Sequence, residues 1–163
     1  MSAPVPGYHG RYLRIDLARR TSEPITIAPE TLRQYVGGVG LGTWILLQET
    51  DGCPDALAPE APLVFVFSPL VGSPLTTSAK FAVVAKSPLT NRINDSLSSS
   101  HFALAGKQTG YDAIVVVGRC ETPSCLVIET DGVRFLDARA AWGHTISESE
   151  AILRQELGPQ YRL

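Results

Sequence analysis

Three short, predominantly apolar runs constrain most strongly how this 163-residue chain can fold. They occupy residues 63–67, 81–85 and 111–117, and prolines, glycines or polar residues bound each of them. An apolar run of this length is too short for an ordinary helix and is typical of a strand that is buried on both faces. The sequence therefore predicts a sheet whose central strands are covered on both sides.

Helices and further strands are predicted around these runs. Ser98, Ser99 and Ser100 offer N-cap hydroxyls to one helix, and Ser147 with Glu150 has the spacing of a capping box for the last one. The predicted elements are a hairpin of 11–17 with 24–27, helices over 29–36, 41–49, 101–108 and 147–157, and a hairpin of 125–129 with 133–136 around an Asp-Gly turn. This order favours an α+β fold with mixed or antiparallel sheets and short helices over a doubly wound sheet.

Charge and hydropathy argue against two classes of partner. The formal net charge is -2, and no cluster of Lys and Arg lies beside interleaved aromatic residues, so nucleic-acid binding is disfavoured. The apolar runs are far shorter than the roughly 20 residues that a membrane span needs. Residues 1–10 lack the charged start and apolar stretch of a signal peptide, which predicts a cytoplasmic protein. The length predicts one domain over residues 1–163.

The cysteines carry no metal or redox signature in their spacing. Cys53, Cys120 and Cys125 form neither an even disulfide framework nor two pairs of metal ligands. Cys120 and Cys125 flank Pro123 at a predicted turn, so an incidental pair is favoured over a metal or redox pair. A [4Fe–4S] cluster needs four thiolates, and none is therefore expected on this chain.

Glycines at positions 37, 38, 40 and 42 interrupt the first predicted helical region. They match neither a GxGxxG pattern after a strand nor a GKS or GKT phosphate loop, so a nucleotide site is disfavoured. Glycine permits positive φ and close approach of backbones. Two interpretations stay open: close packing of the helices, which the residues favour, and close approach to a bulky ligand.

Five motifs in register carry a family resemblance. They lie at residues 10–17, at 37–41 with 46–49, at 68–72, at 86–90 and at 110–116. In order and spacing they resemble the N-terminal domain of tungsten-dependent aldehyde ferredoxin oxidoreductases. Trp142, Gly143 and the helix that follows them continue the match, so the resemblance covers nearly the whole chain.

The resemblance implies an α+β domain that cradles a tungsten bis-pterin cofactor. The chemistry of the family is oxidation of an aldehyde to an acid, with electrons leaving through a [4Fe–4S] cluster to ferredoxin. Family members are several times longer and carry the cluster cysteines and proton-transfer residues in later domains. The implied role is therefore that of a component whose tungsten or molybdenum site is completed by a larger oxidoreductase subunit or through self-association.

The resemblance also implies a set of cofactor-binding residues. Lys80 stands where the family usually has a pterin-contacting arginine, and residues 95–100 stand where it has a polar loop before a helix. The implied set is Lys80, Ser96, Ser98, Ser99 and Ser100. Leu97 replaces a polar residue of that loop, Ser99 and Ser100 replace glycines, and Val39 replaces a common arginine. These departures are expected to weaken cofactor binding, since lysine also lacks the bidentate fork of arginine.

A second hypothesis is that the domain has lost the cofactor and uses the vacated groove for cofactor-independent catalysis or for binding. Lys80, Asp95 and His101 are then the candidate polar or acid–base groups, and a large apolar pocket lined by Phe81, Leu97 and Phe102, without a metal, would favour this hypothesis. Each polar residue also has a structural interpretation, as a solvated strand-end charge, a turn residue and a helix-start residue respectively.

A third hypothesis is a non-catalytic module that only contacts a partner. A shortened domain is expected to expose a sheet edge, and unpaired edge strands invite association. The sequence therefore predicts a homo-oligomer or a complex with another subunit.

Overall fold

A computed structural model gives the fold of residues 5–52 and 54–163. In chain order its elements are β1 (Arg11–Asp16), β2 (Thr21–Thr26), α1 (Pro29–Gln34), α2 (Gly38–Glu49), β3 (Leu63–Phe67), β4 (Lys80–Lys86), β5 (Ile93–Ser99), α3 (His101–Gln108), β6 (Ala113–Val117), β7 (Ser124–Glu129), β8 (Gly132–Asp137) and α4 (Ile146–Leu157). Among the described residues, no helix has both the length and the apolar character to cross a bilayer.

The main sheet is mixed. Its six strands lie in the order β2-β1-β6-β3-β4-β5, and β7 with β8 forms a separate two-stranded sheet. β1 and β6 are parallel, whereas the other neighbours in the main sheet are antiparallel. This arrangement, with four short helices in the described residues, confirms the predicted α+β class.

The three apolar runs form the centre of the sheet, as the sequence predicts. Side chains along β3 alternate between two cores because successive residues of a strand point to opposite faces. Val64 and Val66 belong to the first core, which α1 and α2 cover, and Phe67 belongs to the second, which α3 and the β7–β8 hairpin cover. Phe65 packs against the second core as well.

Residues 93–99 form a strand, so the loop expected at 95–100 is largely wrong. The N–H of Ser87 donates to the carbonyl of Arg92 at 2.8 Å and closes a hairpin, which leads the chain back along β4. Every residue from Ile93 to Ser99 then has a partner on β4. Pairing with an existing strand overrides the weak strand preference of a Ser-rich segment.

Two helix starts also differ from the prediction. α2 begins at Gly38 and not at Leu41, because Gly37 and Gly38 take up the positive φ of the turn before it. α4 is capped by Thr145 with Glu148, and not by Ser147 with Glu150. Both pairs have capping-box spacing, but the Glu150 carboxylate accepts from Arg154 at 2.6 and 2.8 Å, whereas the Glu148 carboxylate accepts the Thr145 N–H at 2.9 Å and the Thr145 hydroxyl accepts the Glu148 N–H at 3.4 Å.

The cysteines of the described residues form no disulfide. Cys120 and Cys125 are free and partly buried, and burial raises the pKa of the Cys125 thiol. Cys53 lies outside the described residues.

The glycines of α2 support the packing interpretation. A Cβ at Gly42 would lie 2.7 Å from Val84 Cγ2 and 2.9 Å from Val66 Cγ2, so the helix backbone lies directly on β3 and β4. A Cβ at Gly40 would find its nearest neighbour at 3.8 Å. Only Gly42 of this pair is therefore required for close approach.

These two glycines give a matched pair of substitutions in one helix. Gly40→Ala should raise the free energy of unfolding by about 0.5–1 kcal/mol, because alanine loses less backbone entropy in a helix. Gly42→Ala should lower it by about 1–3 kcal/mol, because the overpacked methyl group outweighs the same entropic gain. Urea denaturation followed by circular dichroism measures both, and equal effects at the two positions would contradict the packing argument.

Candidate functional site

Several predicted site residues meet where β4 begins, β5 ends and α3 starts. Lys80 and Ser99 are paired in the β4–β5 register, and Lys80 Nζ donates to Ser99 Oγ at 3.0 Å. The N–H of Ser100 donates to the Ala79 carbonyl at 3.2 Å, and His101 is the first residue of α3. We call Lys80, Ser99, Ser100 and His101 the β4–α3 corner.

The corner combines a cation with the start of a helix. Ser100 is the N-cap of α3, and its Oγ accepts a hydrogen bond from the N–H of Phe102 at 3.1 Å. The first turn of α3 carries no acidic residue. A cavity of about 300 Å³ lies here, lined by the last three corner residues with Ala79 and Leu104. The helix start favours an anion in this cavity, and the Lys80 ammonium, which does not line the cavity, adds positive charge at the neighbouring Ser99 hydroxyl.

Asp95 lies outside the corner. It pairs with Val84, whereas Ser99 pairs with Lys80, so Asp95 is four residues away along β5, or about 14 Å. Its side chain shares the face of Lys80 and Ser99, because paired residues point to the same side of a sheet. The predicted trio of Lys80, Asp95 and His101 is therefore brought together only in part.

Ser96 and Ser98 lie on the opposite face of β5. Their partners on β4 are Val83 and Phe81, which point toward the second core and α3. All of β5 is exposed, so these hydroxyls are accessible. The predicted cofactor-binding set is thus divided between the two faces of one strand.

An apolar pocket of Phe81, Leu97 and Phe102 does not form. The rings of Phe81 and Phe102 lie 5.1 Å apart on the α3 side of the sheet. Leu97 pairs with Ala82, which faces α2, and its side chain is 66% exposed. The pocket that would favour the second hypothesis is not formed by these residues, because the strand alternation places Leu97 and Phe81 on opposite faces.

A buried ion pair fixes the other end of α3. Lys107 Nζ lies 2.6 Å from Asp112 Oδ1, and the Asp112 side chain is fully buried. The same carboxylate accepts the backbone N–H groups of His9 at 3.0 Å and Gly10 at 2.7 Å. His9 Nε2 lies 3.0 Å from the Lys107 carbonyl. The pair thus joins α3, the start of β6 and the segment before β1.

Asp112 follows Gly110 and Tyr111 at the start of a predicted core strand, which favours a structural role, whereas no sequence motif points to Lys107. A usable signal is the position of Lys107, which follows Ala103 by one helical turn and therefore lies on the buried side of the helix. Lysine on the buried side of a helix needs a partner, and the nearest acid along the chain is Asp112.

Removing the buried carboxylate tests this anchor. Asp112→Ala leaves the Lys107 ammonium without its partner and should cost about 3–5 kcal/mol of unfolding free energy. Asp112→Asn keeps a hydrogen-bond acceptor and should cost less, which preserves the test if the alanine variant does not fold. The control is Asp137→Ala, which breaks an exposed pair with Arg139 and should leave the urea midpoint nearly unchanged. Equal loss in both alanine variants would contradict the anchor.

The N-cap of α3 gives a second test. Ser100→Ala removes the acceptor for the Phe102 N–H and should cost about 1 kcal/mol, within a range of roughly 0.5–2 kcal/mol. Ser98→Ala is the control, because Ser98 is an exposed β5 residue outside the cap. Thermal unfolding of the three proteins measures the difference, and an unchanged midpoint for Ser100→Ala would contradict the assigned cap.

Comparison with known proteins decides the family. The family described as aldehyde ferredoxin oxidoreductase, N-terminal domain, matches residues 12–163. The chain belongs to this family. The resemblance in the sequence motifs is thereby confirmed, and the six-stranded sheet with its β4–α3 corner is the fold of a family member.

Relatives in the family carry this domain within longer chains. The tungsten-containing aldehyde ferredoxin oxidoreductase of Pyrococcus horikoshii is 35% identical over 155 residues, which are 95% of this chain and 26% of the relative. The enzyme of the same name from Thermococcus kodakarensis is 36% identical over 93% of this chain and 25% of its own. An aliphatic sulfonate oxidoreductase, WOR-like subunit, of Pyrococcus furiosus is 33% identical over 95% of this chain and 25% of its own.

A solved structure shows the same fold. The active site complex BamBC of benzoyl coenzyme A reductase, in complex with 1,5 dienoyl-CoA, superposes with a TM-score of 0.87 at 28% identity. The match covers 93% of this chain and 23% of that chain. The chain therefore spans about a quarter of the length of the relatives that it matches.

Proposed function

We propose that this chain is a component of an aldehyde ferredoxin oxidoreductase-like enzyme and binds part of a tungsten or molybdenum bis-pterin cofactor at the β4–α3 corner. The observation that carries the proposal is the Lys80 ammonium, held 3.0 Å from Ser99 Oγ beside the start of α3. Membership of the family and the tungsten named in relatives support it.

The donors at the corner fit the anionic part of such a cofactor. Pterin phosphates need cations and N–H or O–H donors. Lys80 supplies the charge, Ser99 a hydroxyl and His101 a backbone N–H at the helix start, while the Ser100 hydroxyl can still donate its proton. The described residues hold no group of three or more His, Cys, Asp and Glu that could bind a metal ion. The residues of the β4–α3 corner would hold the organic part of the cofactor.

The bound cofactor would supply the oxidation of an aldehyde to an acid, and this chain would bind and orient it. Lys80 offers a single amine where the family has a guanidinium, and Leu97 offers no hydrogen bond beside it. Val39, which replaces another arginine, packs against the first core. We expect weaker retention of the cofactor than in the relatives.

A partner polypeptide would complete the site, because relatives carry about three quarters of their length outside the matched region. The natural candidate is a larger oxidoreductase subunit in the cytoplasm. The cluster that passes electrons to ferredoxin would then belong to that subunit.

A second candidate function needs no cofactor. Leu97 is largely exposed on the Lys80 face, where a polar residue is usual in the family, and the loss of that polar group favours loss of the cofactor. Lys80 and His101 would then act as polar or acid–base groups for a small ligand.

Metal content separates the two candidates. The tagged chain would be purified without oxygen from its own organism, grown with tungstate, and tungsten, molybdenum and oxidised pterin would be measured along with the co-purifying polypeptides. The proposal predicts tungsten or molybdenum with pterin in the complex. A complex with the remaining family segments but without metal or pterin would overturn it and favour the second candidate.

A lysine substitution tests the corner itself. Lys80→Ala should lower the bound pterin about tenfold or more, because a charge-assisted hydrogen bond contributes about 1.5–3 kcal/mol. Lys86→Ala is the control, since Lys86 lies at the other end of β4 on the same face and its ammonium donates to the Pro54 carbonyl at 2.7 Å. Equal pterin content in the two variants would contradict a role for the corner.

A further inference from the structure

The two edges of the main sheet differ in their protection. β2 contains Pro24, which has no backbone N–H to offer a further strand. Arg20, just before β2, donates to the Phe135 carbonyl of β8 at 3.2 Å, so β8 partly covers this edge. β5 contains no proline, lysine or arginine, and all seven of its residues are exposed. Two of them, Ile93 and Leu97, are large and apolar.

The backbone of β5 presents a regular row of donors and acceptors at this edge. The Ser87 N–H bonds the Arg92 carbonyl, and the Ser100 N–H bonds the Ala79 carbonyl. In an antiparallel strand, the backbone groups of alternate residues point to the same neighbour. The even-numbered residues of β5 therefore face β4, and Ile93, Asp95, Leu97 and Ser99 direct their N–H and C=O groups outward.

We propose that in the free chain a second copy covers this edge, with the two β5 strands pairing antiparallel about a two-fold axis at Leu97. The main sheet would then run continuously through both copies. Leu97 would meet Leu97 of the second copy, and Asp95 would lie opposite Ser99 of the second copy. The inference concerns association of the chain and stands apart from cofactor binding.

Charge complementarity selects the second copy in this register. Lys80, Asp95, Leu97 and Ser99 share one face of the sheet. The Lys80 side chain extends across β5 as far as Ser99 Oγ, at 3.0 Å. An Asp95 carboxylate placed opposite Ser99 would therefore meet a Lys80 ammonium, and the two-fold axis would repeat the pair. The apolar contact at Leu97 would lie between two ion pairs.

Other registers fit less well. A shift by two residues would place Asp95 opposite Leu97 and move the carboxylate away from Lys80. A shift by one residue would place the outward-pointing N–H and C=O groups of one copy opposite residues of the second copy whose N–H and C=O groups already bond β4. In this register residues 95–99 of the two copies pair, and such an interface is smaller than the roughly 1,200 Å² of a stable complex, so we expect a reversible dimer with micromolar or weaker affinity.

The dimer would occupy Lys80, so the dimer and the cofactor-bearing complex should exclude each other. The two proposals are tested by separate measurements, so either can fail without the other. Metal analysis of the complex tests cofactor binding, whereas association of the purified chain is measured without any metal.

Sedimentation of the purified chain from micromolar to millimolar concentration is the test. The wild type should show a concentration-dependent dimer. Leu97→Pro removes an outward N–H without touching the β4 ladder and should abolish the dimer, whereas Leu97→Thr keeps that N–H and should retain it. Circular dichroism of each variant confirms that it is folded.

A charge swap tests the register. Asp95→Lys should weaken the dimer about tenfold or more, because it sets two ammonium groups together. The double variant Lys80→Asp with Asp95→Lys should restore it with the pairs reversed. Failure of the swap to rescue, a wild type that stays monomeric, or a dimer that survives Leu97→Pro would overturn the proposal.

Amide hydrogen exchange resolved by residue distinguishes the occupant. In the monomer, Asn94, Ser96 and Ser98 should be protected, and Ile93, Asp95, Leu97 and Ser99 should exchange fast. Asp95, Leu97 and Ser99 should become protected as the concentration of the chain rises, whereas Ile93, which lies opposite His101 of the second copy in this register, should stay unprotected. Protection that appears only in the cofactor-bearing complex would assign the edge to the partner polypeptide; it would overturn the second-copy proposal and leave the proposed function standing.

Discussion

The buried ion pair of Lys107 and Asp112 is the constraint on which the rest of this domain depends. Transfer of two charges into an interior costs several kcal/mol each, and the attraction between them offsets this only when the remaining hydrogen-bonding capacity is used. Asp112 meets that condition, since it also accepts the backbone N–H groups of His9 and Gly10. The backbone of Asp112 makes two further hydrogen bonds: its carbonyl accepts the Phe67 N–H, and its N–H donates to the Arg11 carbonyl. The segment before β1, the end of β3 and the start of β6 therefore share one anchor.

This anchor determines which end of α3 is available for function. The last turn of the helix is tied to the core through Lys107, and the Gly106 backbone lies directly against the Phe67 ring. The first turn starts at the exposed His101, and the Ser100 side-chain cap and the Ala79 carbonyl just before β4 hold this end in place. A helix fixed at its C-terminal end presents its N-terminal end in a defined position, and a defined position is what a binding site for an anion needs.

The parts of the fold that could be predicted are those in which the pattern of side chains decides the structure. Residues 63–67 and 101–108 were predicted with the observed bounds, because an apolar run between prolines and a capped amphipathic helix carry their own signals. β5 carries no such signal, since its side chains are polar and exposed and its structure comes from the partner strand. The same distinction applies to the candidate site. The β4–β5 register pairs Lys80 with Ser99 and places Asp95 four residues away from Ser99, and the composition of the chain does not encode this register.

β5 links the proposed site with the proposed dimer because it is open on both faces and on its outer edge. The helices that cover the two faces reach β4 and leave β5 uncovered, so every group on the strand can meet something outside the chain. A fully exposed strand of seven residues gains little from burial and is held by its pairing with β4 and by the turn that joins the two strands. Any molecule that pairs with the outer edge or binds at the corner would therefore order β5 further, and the two kinds of occupant would compete for the same Lys80 ammonium.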